Sequence, residues 1–413
     1  MANVINTIDW LTLESLRTLK NKLEVASKFN TDENKWYQQK FPVGETIRIK
    51  LPQRWVPVDG ISYSSQAINR KFTTATVDQF VQIGFDYDST EKALSLERTK
   101  EEIFREYFQP GIEQIAQEID SRAANFAWQN TNHIVGALGT DPTTVAPFHQ
   151  ARQKLVENAG MTGPACVVVA PRVNSTLGAN LTNLFRPGDE IDRLWKRGYL
   201  GQLADADWYE NMSLYSATAG TWAAAVTVNG ASQSGSVLTI TATAGDTFNV
   251  GDVISIAGVF EVNPVTRRST GSLKQFAVSQ ALTAVAGSNQ LHIQPAIVGP
   301  DAGPVPDQYQ NVDSLPANGA ALTLYPGTTS PNGKSGIQNM YMTRDAFALV
   351  AVELETPKAV EFASQKRDPE TGISVRITRT WDPILSRFVN RIDTLFGFGL
   401  LYPDNCACRI ASA

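Results

Sequence analysis

Three histidines and three cysteines in 413 residues leave this chain little from which to build catalysis or a metal site. His133, His149 and His292 fall in different expected elements, and none stands beside a serine or cysteine in a nucleophile motif. His292 alternates with Leu291 and Ile293, so it points to the surface of its strand. Cys406 and Cys408, with Ile410, share one face of an expected strand. Zinc pairings do not use that spacing, and a disulfide across it would be strained. With Cys166 in an apolar strand, all three read as small buried hydrophobes. So few cysteines exclude a disulfide framework and fit a reducing compartment. No apolar run approaches the ~18–20 residues of a membrane span. The start, MANVINTIDW, has no basic region leading into an apolar core, so no secretory signal is expected. A basic excess is missing too. The 36 Lys and Arg against 41 Asp and Glu give −5, which leaves no global field to hold nucleic acid by counterion release.

Two near misses complete the search for chemistry. Gly327 to Ser335 (GTTSPNGKS) looks like a phosphate loop, but the glycine spacing is one residue too long and no apolar helix follows. Asp205 and Asp207 lack further clustered carboxylates and read as a solvated face. No catalytic, cofactor-binding or metal residue is assigned, and the chain is read as not an enzyme.

What is present is ordinary globular composition, 42% hydrophobic and 19% charged, arranged in an unusual order. Residues 7–28 place Leu13, Leu16, Leu19, Leu23 and Ala26 at spacings of three and four, an amphipathic helix. It docks either on its own domain or on a neighbouring subunit. From 44 to 79 the helical period vanishes. The segment is extended and polar, broken by Pro52, Pro57 and the Asp59–Gly60 turn signal, and reads as a long hairpin reaching from the body or as a solvated loop with one buried Trp. Residues 80–88 (FVQIGFDYD) alternate as a half-buried strand. Phe104, Phe108, Ile112, Ile115, Ile119, Ala123 and Phe126 then mark a long helix over 97–135, which Pro110 should kink or break.

Residues 141–221 alternate helix and strand: a helix at 146–159, a strand at 165–170 and a helix from Pro171. Residues 222–333 change grammar. Short strands at 236–243, 250–262, 275–278 and 290–294, separated by Gly, Ser, Asn and Thr, predict a small barrel or sandwich inserted into the flanking fold. The stretches 298–319 and 326–336 read as loops or linkers. Residues 337–354 read as strand then helix, and Ile373, Val375 and Ile377 alternate as a strand that leads into the closing segment.

This order of parts resembles the major capsid proteins of tailed bacteriophages, the Hong Kong 97 (HK97) fold. FVQIGFDYD with its following helix resembles the peripheral domain's strand and spine helix. Residues 198–216 (GYLGQLADADWYENMSLYS) resemble a stretch of the axial domain. NMYMTRDAFALV (339–350) and 372–399, with Arg391, Asp393 and Gly397, resemble the closing block. The segments GDVISIAGVFEVNPVT and LKQFAV look like the inserted domain of the coat protein of phage P22 and its relatives.

The resemblance implies an α+β HK97-like capsid fold with an inserted all-β barrel. Its parts would be an N-terminal helical arm (1–43), an extended hairpin loop (44–79), a peripheral strand and spine helix (80–140), a first axial part (141–221), the inserted barrel (222–333) and an axial and peripheral return (334–413). It implies a coat protein that self-assembles in many copies into an icosahedral procapsid and mature shell, in the host bacterial cytoplasm. That shell would enclose double-stranded DNA without sequence-specific binding and carry a portal protein. Only about 40 residues precede the hairpin, so a separate scaffolding protein is expected. No cofactor and no membrane are expected. Closed shells need one chain to make several non-identical contacts, and the candidates are Leu13, Leu16, Leu23, Arg54, Trp55, Arg70, Lys71, Arg267 and Arg268. An encapsulin-like compartment shell, a virion decoration or carbohydrate-binding protein, and a hydrolytic enzyme with a β module remain as alternatives at this point.

Overall fold

A strand whose alternation is evident over 80–88 starts earlier, because the threonine-rich stretch before it also favours extended backbone: it runs Phe72–Asp88. The computed structural model describes residues 7–32, 46–57, 60–61, 63, 65–68, 71–88, 104–161, 163–181, 202–222, 225–300, 308–324, 332–358, 360–369 and 371–413. The phosphate-loop-like run, Arg70 and residues 198–201 lie wholly or mostly outside these. The chain divides into two units: 1–49, 72–123 and 347–400 form one, and 50–71, 124–346 and 401–413 form the other.

The first unit is built on a six-stranded sheet in the order Thr46–Lys50, Phe72–Asp88, Arg387–Leu400, Ser374–Asp382, Phe362–Arg367, with Phe347–Ala351 also pairing Arg387–Leu400. One edge of the 14-residue strand Arg387–Leu400 meets Phe72–Asp88 along its length. Its other edge takes Ser374–Asp382 and then Phe347–Ala351. Asp393, fully buried, accepts from Arg376 Nη2 at 2.6 Å and from Arg391 Nε at 2.5 Å, a charge that burial permits only because it is paired.

The N-terminal helix is shorter than its periodicity suggests. It spans Thr7–Lys22, and the chain then donates Glu24 N and Ala26 N to the Asp120 carboxylate at 2.8 and 2.9 Å. Once a side chain takes those donors, the backbone has no need to continue as helix. The long helix is described from a π turn at Phe104–Phe108 and continues as α-helix over Gln109–Asn130. Pro110 sits at the junction of the π and α turns, where its missing N–H interrupts the ladder of the continuing helix. It therefore marks a change of helix type within one continuous helical stretch.

The helix expected after the 337–343 strand is absent. Ser335–Thr343 is a strand, and Phe347–Ala351 is a second one. Ala346 to Ala351 are all fully buried. A run buried on both faces has no period by which to tell strand from helix, and its length of five favours strand.

The second unit holds a two-stranded sheet, Thr247–Phe248 with Leu282–Thr283, and two large ones. One runs Ile134–Gly136, Ala407–Ala411, Ser335–Thr343, Ala165–Val169, Ala206–Glu210, Gln202–Leu203, with the helices Ala146–Glu157 and Pro171–Leu181 contributing Phe148, Leu155, Val173 and Leu177 to its core. Cys406 is not on the C-terminal strand with Cys408. It ends a short helix, Pro403–Cys406, begun by Pro403, while Cys408 and Ile410 share the strand's core face. All three cysteines are buried and outside any disulfide.

The other sheet is a barrel. Its order is Leu322–Leu324, Val253–Val262, Ser269–Val278, Gly287–Ile297, Gly235–Ala242, Thr227–Val228. The two end strands meet through a Thr227↔Ala321 bridge and through Leu322 N to Val226 O and Val228 N to Ala320 O, both 2.9 Å. These contacts close the sheet on itself. Leu238, Ile240, Phe248, Ile254, Phe276, Leu291 and Ile293 fill it.

Candidate functional site

The described residues of Lys50–Lys71, called the arm below, belong to the second unit. Its neck is closed by Leu51 N donating to Lys71 O at 3.0 Å. Farther out, Gln66 ties the two legs through both of its amide groups: Oε1 accepts from Val56 N at 3.1 Å, and Nε2 donates to Val56 O. Val56 is buried, but Ile61 and Tyr63 are almost wholly exposed and Trp55 and Ile68 more than half. Four large apolar or aromatic side chains are thus exposed within one short segment, more than the scattered single exposures normal for a surface.

Of the sequence-derived candidates, Arg54, Lys71 and Arg267 come together. Lys71 Nζ lies 3.8 Å from the centre of the Tyr309 ring, the Arg54 guanidinium 6.0 Å from it, and Arg267 donates to the neighbouring Gln308 carbonyl. Arg268 is exposed beside Arg267 on the hairpin between Val262 and Ser269. Trp55 points outward. Leu13, Leu16 and Leu23 belong to the other unit, where Leu13 is exposed and Leu16 and Leu23 are turned into that unit's core. Nothing in the sequence singled out Gln308 or Tyr309, since they stand in a stretch that reads as a linker; a lone aromatic in a Pro/Gly-rich loop was the available signal.

Sequence reasoning also missed a buried polar joint beneath the barrel. Lys274 Nζ donates to Glu261 Oε1 at 2.6 Å, and His133 Nε2 lies 3.5 Å from the same oxygen, all three almost fully buried. His133 Nε2 also donates to Asp404 O at 2.9 Å. Beside them the Gln275 amide pairs with the Ile134 backbone, accepting from its N–H at 3.0 Å and donating to its C=O at 3.2 Å, and Asn132 donates to Gln275 O. Arg409, fully buried, donates to Gly251 O at 2.8 Å and lies over the Trp128 ring.

Burial raises the Glu261 carboxyl by itself, but the charge and hydrogen bond of Lys274 outweigh it and hold the group charged down to about 2. Burial, the larger influence, keeps His133 neutral down to about 3 against the pull of Glu261. A charged pair beside a neutral imidazole ties together three stretches of the chain, and no cluster of potential metal ligands occurs among the described residues.

The joint predicts acid sensitivity. Unfolded, His133 protonates near 6.5 and Glu261 near 4.5; folded, they resist to about 3 and about 2. Each contributes stability that is complete above its unfolded value and lost as pH falls toward the folded one. Calorimetry across pH should show the second unit losing up to about 1.4 kcal/mol per pH unit below 6.5 from the histidine alone. His133→Gln, which keeps the donor to Asp404, should flatten the 6.5 to 4.5 portion; an unchanged slope there would rule the histidine out.

Comparison with known proteins gives three results. The sequence model of the family described as "P22 coat protein - gene protein 5" matches residues 43–410. Among solved structures, one from Mycobacterium phage Che8 aligns over 94% of this chain and 90% of its own, at 11% identity and TM-score 0.48. The capsid structure of the cyanophage P-SCSP1u aligns over 90% and 84%, at 10% identity and TM-score 0.43. The CUS-3 coat protein I-domain aligns over 25% of this chain and 96% of its own, at 29% identity and TM-score 0.20. No curated protein matches the chain.

Proposed function

This chain belongs to the P22 coat protein family and is a phage major capsid protein, and we propose that its copies assemble with a separate scaffolding protein into an icosahedral procapsid. The procapsid matures, in the host bacterial cytoplasm, into a shell that carries a portal and encloses double-stranded DNA. The family match over 43–410 carries the reading. The division into N-terminal arm, hairpin, spine, axial parts and inserted barrel is part of the proposal.

The arm supports how the shell is joined. Trp55, Ile61, Tyr63 and Ile68 are exposed on the single subunit, and covering such residues is worth roughly 25 cal/mol per Å² of apolar surface. In this reading the arm lies across an adjacent copy, with Leu13 and Arg268 as further contacts, and the area buried per subunit exceeds the ~1,600 Å² of a standard pairwise interface. DNA is enclosed without being gripped, consistent with a net charge of −5.

The test is expression of the chain alone and with the candidate scaffolding gene, followed by sedimentation and negative-stain electron microscopy. Closed shells of uniform size, improved by the partner, are expected. Ile61→Asp with Tyr63→Asp should leave the subunit's melting unchanged and abolish shells. Small soluble oligomers under both conditions would overturn the assembly reading, and shells from the double variant would remove the arm from it.

A further inference from the structure

The arm carries its apolar residues outward, so the contacts that fasten its legs do something other than bury them. Those contacts converge on two consecutive residues. Gln308, itself buried, accepts from Gln53 Nε2 at 2.7 Å on one leg and donates through Nε2 to Ala67 O at 2.9 Å on the other. Its backbone carbonyl is held by Arg267 from the barrel hairpin. Tyr309 offers one ring to a cation from each leg, Lys71 at 3.8 Å and Arg54 at 6.0 Å. The legs are also tied to each other by the Leu51–Lys71 hydrogen bond and the Gln66 amide. Fixing both legs at their base therefore fixes the direction in which Ile61, Tyr63 and Ile68 are carried.

We propose that Gln308 and Tyr309 are positioning residues: a clasp by which the barrel aims the arm at a second copy of this chain. The clasp rests on the reading of the arm as an inter-subunit contact and adds what controls it. A segment already held in its bound direction loses less freedom on docking than one that samples all directions. The chemistry is selective, because the ring face attracts both cations while a leucine of similar bulk attracts neither. The glutamine satisfies both legs only because its amide carries a donor and an acceptor.

The test uses the full chain with Tyr309→Leu, Tyr309→Phe and Gln308→Ala. Amide exchange on peptides covering the arm is measured in the unassembled subunit, and shell formation is followed by light scattering with the scaffolding partner. Tyr309→Leu and Gln308→Ala should each speed arm exchange about tenfold and slow shell formation by a comparable factor. Tyr309→Phe, which keeps the ring, should behave as wild type, and the barrel's melting midpoint should hold in all three. The clasp is overturned if arm exchange stays at the wild-type rate in both disruptive variants, if exchange rises without slowing assembly, or if Tyr309→Phe fails as badly as Tyr309→Leu. A wild-type chain that forms no shells would instead sink the assembly reading beneath it, and exchange in the free subunit would still report on the clasp.

Discussion

Replacing Lys274 with methionine should destabilise the second unit by roughly 3–5 kcal/mol, because it strands a carboxylate in the interior. Glu261 is about 1% exposed, and its 2.6 Å bond to Lys274 Nζ is what offsets the loss of water. His133, 3.5 Å away, is neutral while Lys274 is present. A loss of this size is on the order of 10 °C in the melting midpoint. The variant should also reverse part of the pH dependence. Without the lysine, burial raises the Glu261 carboxyl above the usual carboxylate range, so the group neutralises and the penalty shrinks as pH falls toward 5. The double change Lys274→Met with Glu261→Leu removes both charges and should recover most of the loss, the non-additive result expected of a directly coupled pair. Scanning calorimetry of the three variants decides the matter. A Lys274→Met cost below about 1 kcal/mol would mean that water reaches the pair and that the joint is not dry.

Gly397→Ala should be at least as damaging, for a different reason. Gly397 lies in Arg387–Leu400 where Phe72–Asp88 shifts register between Thr76 and Gln79. A Cβ there would stand 1.9 Å from Thr76 O and 2.6 Å from Val77 Cα. Both are backbone atoms, so no side chain can rotate away. The strands must separate, and with them the pairs on either side. Overpacking a core costs about 1–3 kcal/mol even when side chains can yield; a backbone clash inside a ladder should exceed that and leave the protein insoluble. Gly84 supplies the control in the same ladder, since its Cβ would meet Asn390 O at an ordinary 3.6 Å. Gly84→Ala should stay soluble with a midpoint within a few degrees of wild type. Equal solubility of the two variants would show that the strands at Gly397 are not packed as closely as described.

Those two sites differ in how visible they were. Arg391, Asp393 and Gly397 stood out in the sequence as a block resembling a capsid closing segment. The structure supplies their physics: Asp393 joins the arginines of two strands, and Gly397 makes room for a third strand. Glu261 and Lys274 gave a weaker sign, charged residues at inward positions of apolar strands. Such a residue says that a partner exists without saying where.

Local periods and turn chemistry determined most of the elements. The three-and-four spacing marked the long helix, alternation marked residues 80–88 and 236–243, and the change of grammar after residue 222 marked a β insert, because these patterns are set by neighbours along the chain. The ordered set of parts was enough to suggest the family, to which the chain belongs. Only the tertiary structure decided whether Ala346–Ala351 would be strand or helix, since a segment buried on every side carries no period. Only it closed the barrel, placed His133 beside Glu261, and set Gln308 and Tyr309 at the base of the arm. Those outcomes depend on which strands cross in space, and the hydrogen bonds, charges and ring faces that hold them act across distances of a few ångströms, regardless of how far apart the residues stand in the chain.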